Sequence, residues 1–193
     1  MFLRTILFSS LVLVCAGTAM AQTPSPEFWR KVGCQPLEPR TNLERLQERY
    51  SAVLIKGVTR IETTDVKRLD VEAVELRELG KAPNAISAAK GITVIYLDQN
   101  RALIDYEEID LLLNAIDALS RVDETVTKLA SFEARYRTLG DLEITVFRQT
   151  RSGYAVRVAI GICNPATVFM TLDDLAKLRA MIKEAKTRLD EIR

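Results

Sequence analysis

From residue 52 onward, apolar and polar positions switch between a period of two and a period near 3.6, and the switch occurs twice. The β-branched runs "AVLIKGVTRIE" (52–62) and "VKRLDVEAVEL" (66–76) predict strands joined by a turn at 63–65. Residues 79–91 hold two glycines, a proline and an asparagine, and predict a long loop. "ITVIYL" (92–97) and "RALIDY" (101–106) predict a hairpin around 98–100. Tyr106, Ile109, Leu112, Leu113, Ile116 and Leu119 then recur at helical spacing. The second pass has the same order. "SFEARYRTL" and "LEITVFRQ" predict strands joined at Gly140-Asp141, and "YAVRVAIGIC" and "ATVFM" a hairpin around Asn164-Pro165. Leu172, Leu175, Leu178, Ile182, Ala185, Leu189 and Ile192 form one stripe of a final helix.

An offset of 66 positions lays the second pass on the first. Val94 meets Ile160, Leu103 meets Phe169, Asp105 meets Thr171, and Ile109, Leu112 and Ile116 meet Leu175, Leu178 and Ile182. Strand phase, hairpin length, cap and helix phase agree together. They predict an α+β chain of two tandem ββββα repeats, with antiparallel sheets and C-terminal helices related by a pseudo-two-fold. The competing reading is two unrelated segments that share ordinary hairpin-to-helix grammar. A four-stranded sheet with one helix covers one face and leaves the other open, so two units gain by pairing. The expected organisation is a leader at 1–21, a Pro-rich arm and short helix at 22–50, and units at 51–124 and 125–193.

Four antiparallel strands followed by a helix opening on "TLDDL" resemble the single-stranded-DNA-binding fold of the positive cofactor four and Whirly type. The likeness lies in element order, over residues 131–192 best and 52–122 more loosely. It implies an architecture in which two units pair through their helices, here within one chain, and it does not carry function. In general make-up the chain also resembles exported bacterial proteins, which implies no activity.

The N-terminus adds a compartment. Arg4, the apolar run "ILFSSLVLVCAG" and Ala19-Met20-Ala21 form the three regions of a signal peptide, with cleavage expected after Ala21. An uncleaved anchor suits the short run poorly. Val14 before Cys15 departs from the Leu-x-small-Cys pattern that lipoprotein signals resemble. Export to a periplasmic or extracellular space is the expectation. Residues 22–41 carry four of the prolines and Trp29, and predict an extended arm pinned by Phe28 and Trp29. Thr41 and Glu44 then predict a capping box for a short helix with Leu43, Leu46 and Tyr50.

The whole chain has 27 Lys+Arg against 26 Asp+Glu, and the leader's one charge is Arg4, so the remainder is formally neutral. Neutrality argues against nucleic acid or an anionic membrane surface as partner. The expected partner is a protein or small ligand, with no membrane association after cleavage, in a monomer or weak homo-oligomer. Cys34 and Cys163 outlast the leader. In an oxidising compartment they are a candidate disulfide; the alternative is that Cys163 is an inert buried thiol.

Chemistry is constrained by what is missing. There is no His, which removes Ser-His-Asp and Cys-His pairs, His-ligated zinc and the commonest general base. No phosphate loop or dinucleotide fingerprint occurs, so no cofactor, metal or catalytic residue is expected. Asp105, Glu107, Glu108 and Asp110 crowd one stretch, yet they fall at the cap and first turn of a helix, where the dipole favours acids. Asp173 and Asp174 repeat that placement. The candidate ligand-binding residues are Arg135, Arg137, Arg157 and Phe147, which strand alternation puts on the open face of the second sheet, with Glu133 and Glu143 as balancing charges. An exported, non-enzymatic binding module is the leading expectation. The alternatives are single-strand or polyanion binding through those arginines, as basic aromatic sheets do, and a carboxylate-based hydrolase.

Overall fold

A computed structural model describes residues 38–61, 66–79, 88–123, 125–129, 131–149, 153–161 and 165–192. The leader, most of the arm with Phe28 and Trp29, the turn at 63–65, and both Cys34 and Cys163 lie outside the described residues. Helix α1 (Asn42–Gln47) opens on the expected capping box: Thr41 Oγ1 accepts from the Glu44 N–H at 3.0 Å, and the Glu44 carboxylate accepts from the Thr41 N–H at 3.0 Å. The helix stops before Tyr50, which is 95 % exposed and takes no part in its apolar face.

The class is α+β, with two four-stranded antiparallel sheets. Strands β1 (Val53–Arg60), β2 (Leu69–Leu79), β3 (Ala88–Tyr96) and β4 (Asn100–Asp105) pair in chain order, and α2 (Tyr106–Leu119) follows. Strands β5 (Glu133–Arg137), β6 (Leu142–Gln149), β7 (Gly153–Ile160) and β8 (Ala166–Met170) pair likewise, followed by α3 (Leu172–Asp190). No helix among the described residues is long and apolar enough to cross a membrane.

Several boundaries differ from the sequence reading. Ala88–Gly91, expected in a loop, begin β3, because Ala88 and Ala89 pair with Arg77 and Leu76. Residues 66–68, expected in a strand, form a turn: Lys67 and Arg68 take positive φ, and Leu69 N–H donates to Val66 O at 2.9 Å. The β3–β4 turn centres on Leu97 and Asp98, one residue earlier than expected, both at positive φ as a type I′ turn requires. The hairpins are also unequal. Residues 97–99 link Tyr96 to its partner Asn100, whereas 161–165 link Ile160 to Ala166. The 66-residue offset therefore matches β4 to β8 and the helix starts, but β7 slips by two residues. Side chains alternate with period two, so the slip preserves the face: Val94 opposite Ala102 and Val158 opposite Val168 both point inward.

One hydrophobic core joins both sheets. Val71, Ile92, Val94 and Ile104 from the first, and Leu142, Ile144, Val156, Val158 and Ile160 from the second, meet Ile109, Leu112, Ile116, Leu175, Leu178 and Ile182 of the helices. Each such side chain removed from water contributes about 1.5–3 kcal/mol. The helices do not simply cover the sheets they follow. α3 runs along β2, with β1 and β3, in the first sheet, while α2 touches β3 and β4 and also β5 and β6. Between themselves they are antiparallel. Arg179 donates to Asp117 at 2.6 Å, Lys186 Nζ lies 3.2 Å from Asp110, and the Tyr106 hydroxyl donates to Asp190.

A second cluster lies on the opposite side of the first sheet. Leu43 and Leu46 of α1 pack on Val74 and Leu76, with Leu54, Ala89 and Leu103 around them. That sheet is consequently apolar on both faces near β2, where consecutive residues Ala73 and Val74 are both buried.

Candidate binding face

The acidic stretch at the start of α2 resolves into separate structural tasks. Asp105 occupies the N-cap position with extended backbone, but its side chain makes no cap to its own helix. It accepts instead from the N–H groups of Asn42 and Leu43, at 2.6 and 3.1 Å, and so caps α1. The expected capping of α2 by Asp105 is thereby corrected: α1 brings two orphan donors to that carboxylate. Asp110 pairs with Lys186, and Glu107 is exposed. At the start of α3 Thr171 takes the expected N-cap position and forms a capping box with Asp174.

Glu108 reaches further. One oxygen accepts from the Leu139 N–H at 2.9 Å, and the other is buried without a partner among the described residues. Burial pushes its carboxyl above the usual range, against the Leu139 hydrogen bond, and Asp105 nearby pushes the same way. A raised folded-state pKa means that the native protein holds this proton more tightly than the unfolded chain. Its contribution to stability is full below the ordinary carboxylate range and is lost as pH rises through the folded value. Glu108→Gln keeps an acceptor for Leu139 and removes the charge. Thermal melts from pH 4 to 8 should show that component flattened, with a gain at pH 7 under about 1 kcal/mol because the group is half-exposed.

The outer face of the second sheet is built by register. Arg135, Thr145, Arg157 and Phe169 form one row across β5 to β8. Glu133, Phe147 and Ala155 form the row on one side, and Arg137, Glu143, Ala159 and Thr167 the row on the other. The four residues singled out from the sequence therefore share one face. Ala134 and Tyr136, which flank Arg135, turn toward the core.

Each of the three arginines has an acid beside it. Arg157 Nη2 lies 3.4 Å from Glu143 and 3.6 Å from Glu133, and donates to Thr145 Oγ1 at 3.3 Å. Arg135 stands 3.9 Å from Glu143, and Arg137 donates to Asp141 at 2.6 Å. Thr145 is fully buried beneath this network, which orients the Arg157 guanidinium. Phe169 was missed from the sequence, although its position between the inward-facing Val168 and Met170 places it on the outer face. It packs edge-on against Phe147, centroids 6.4 Å apart, and stays 61 % exposed. Together with Phe132, Glu133 and Arg157 these rings line a shallow groove of about 470 Å³.

The two sheets differ here. α1 lies on the outer face of the first, whereas no described element lies on that of the second. Among the described residues, the expectation of an open face is thus corrected for the first sheet.

No family model, curated protein or solved structure matches this chain.

Proposed function

We propose that the protein is an exported, non-enzymatic interaction module that holds a partner on the outer face of its second sheet. The observation that carries this reading is the uncovered Phe147–Phe169 pair, set among arginines already oriented by acids of the same face. Aromatic and arginine side chains are the usual energetic anchors of protein interfaces, and a surrounding rim of paired charges supplies specificity. The local charge favours a protein partner over a polyanion: Arg135, Arg137 and Arg157 are matched by Glu133, Glu143 and Asp141. A phosphate backbone would have to displace those carboxylates.

The internal-repeat reading is part of this proposal. It is supported by the matched strand faces, by Ile109, Leu112 and Ile116 being fully buried like Leu175, Leu178 and Ile182, and by the antiparallel run of α2 against α3. Two units that share a helix layer suit the architecture that the positive cofactor four and Whirly resemblance implies. One unit then keeps its outer face for binding, while α1 occupies the other.

The test is photo-crosslinking in the cells of origin, with a benzophenone amino acid at position 169 and, as control, at the exposed Leu111 on α2. A discrete protein adduct at 169, absent at 111 and lost when Phe147 is also changed to Ala, is the expected result. Equal labelling at both sites would sink the reading. Filter binding of single-stranded DNA at low salt should give no retention; salt-sensitive retention that Arg157→Ala abolishes would favour the polyanion alternative.

A further inference from the structure

A larger groove, among the described residues, lies on the other sheet. It measures about 720 Å³ and runs between β1 and the last turns of α3. Gly57, Thr59 and Ala73 form its floor, and Glu184, Arg188 and Glu191 stand along the helix side. Among the described residues strand β1 is an edge strand eight residues long, paired only with β2, and seven of its residues are exposed. Alternate backbone N–H and C=O groups along such an edge point away from the sheet and are available to a further strand.

The other edges are less accessible. Gly140 of the β5–β6 turn sits against Leu103 of β4, and β5 and β8 have five residues each. Short or covered edges are the usual protection against strand addition. β1 lacks that protection and lies beside a helix-walled trough. It also carries Gly57 mid-strand, where an added Cβ would meet nothing closer than 3.9 Å. A glycine in a strand commonly marks a place where another backbone or a ligand comes close.

The charges around this edge alternate by face. On the groove side Glu75, Glu184 and Glu191 outnumber Arg77 and Arg188, which pair with them, and the C-terminal carbonyls of α3 add partial negative charge at the same end. On the outer side β1 presents Lys56, between the apolar Leu54 and Val58 of the same face, and Arg60, which pairs with Asp70. An added strand would meet acids with one set of alternate side chains and a lysine with the other. Two copies of β1 paired edge to edge would instead repeat both signs.

We infer that β1 is a strand-acceptor edge, taking an extended peptide with basic side chains toward the α3 groove and acidic ones toward Lys56. Recognition is by main-chain hydrogen bonds for affinity and alternate side-chain positions for specificity. The surface is separate from the Phe147–Phe169 face, so either can fail without the other.

The probe is a fluorescein-labelled nonapeptide of valine and threonine carrying lysines at one set of alternate positions and glutamates at the other. Fluorescence anisotropy should show saturable binding. N-methylation of alternate amides on the pairing side should abolish it, because a strand without donors cannot join the edge. Gly57→Val should weaken binding at least about tenfold, a change readily resolved by titration, and the room around Gly57 lets this variant keep its wild-type melting temperature. Glu184→Lys with Glu191→Lys should weaken it as well. No binding up to about 1 mM, the weakest range of specific recognition, would overturn the inference. So would equal affinity for the N-methylated peptide, or an unchanged Gly57→Val titration. A concentration-dependent dimer in sedimentation that Gly57→Val dissociates would overturn it too, by assigning the edge to a second copy.

Discussion

Gly140→Ala is expected to destabilise the protein more than a methyl group added at Gly57, Gly153 or Gly161. A Cβ at residue 140 would lie 1.6 Å from Leu103 O, 2.7 Å from Leu103 C and 3.1 Å from Leu103 N. All three are backbone atoms of β4, in the sheet of the other unit, so no side-chain rotation relieves the overlap. Either the 138–141 turn or β4 has to move. The turn cannot move freely: Asp141, at φ 64°, is held by Arg40 and Arg137, its carbonyl accepts from Gly161 N–H at 3.0 Å, and Leu139 N–H is held by Glu108. Overpacking a constrained site costs about 1–3 kcal/mol, and opening a joint between two sheets belongs at the top of that range or above it. Urea denaturation followed by circular dichroism measures the loss. Gly153→Ala is the control. Gly153 also lacks a Cβ but meets nothing within 4 Å, so only its φ of 84° is strained, at a cost of about 1 kcal/mol. Equal stabilities for the two variants would refute the assignment of Gly140 as a sheet-to-sheet contact.

Asp105→Ala is expected to release α1 from the first sheet. A helix of six residues has no independent stability in water. It persists because Leu43 and Leu46 bury against Val74 and Leu76, and because Asp105 accepts from its first two N–H groups. Hydrogen bonds to a charged group contribute about 1.5–3 kcal/mol, and here removing one side chain leaves two donors unpaired. A loss of about 2–4 kcal/mol follows, larger than the roughly 1 kcal/mol expected of Thr171→Ala at the cap of α3. The local signature is trypsin cleavage at Arg45 or Arg49 before the sheets unfold, since both lie on the segment that would come away. If Asp105→Ala matches wild type in stability and in cleavage rate, Asp105 does not hold α1.

Both predictions concern contacts between segments far apart in the chain, and this decides what the sequence could reveal. The 66-residue offset was readable because the repeating signals are local. Alternation along strands and the stripe through Ile109, Leu112 and Ile116 are set by side-chain geometry within a single element. The shared face of Arg135, Arg137, Arg157 and Phe147 was readable for the same reason, once β6 and β7 were taken as neighbours. Phe169 obeys the same rule, lying exposed between the buried Val168 and Met170. Turns were read less well. Lys67-Arg68 and Leu97-Asp98 adopt positive φ without a glycine, so composition did not mark them.

By itself, then, the sequence determined the class, the element order, the shared face of Arg135, Arg137, Arg157 and Phe147, and the caps at Thr41 and Thr171. Tertiary structure decided the rest. It set α3 across the first sheet, turned Asp105 from its own helix to α1, and placed Gly140 against Leu103. Among the described residues it also laid α1 over one outer sheet face and no element over the other, and left β1 as a long edge beside a groove. The physical reason is range. Periodicity and capping depend on residues a few positions apart, whereas packing partners are chosen by which apolar surfaces can meet once the elements exist.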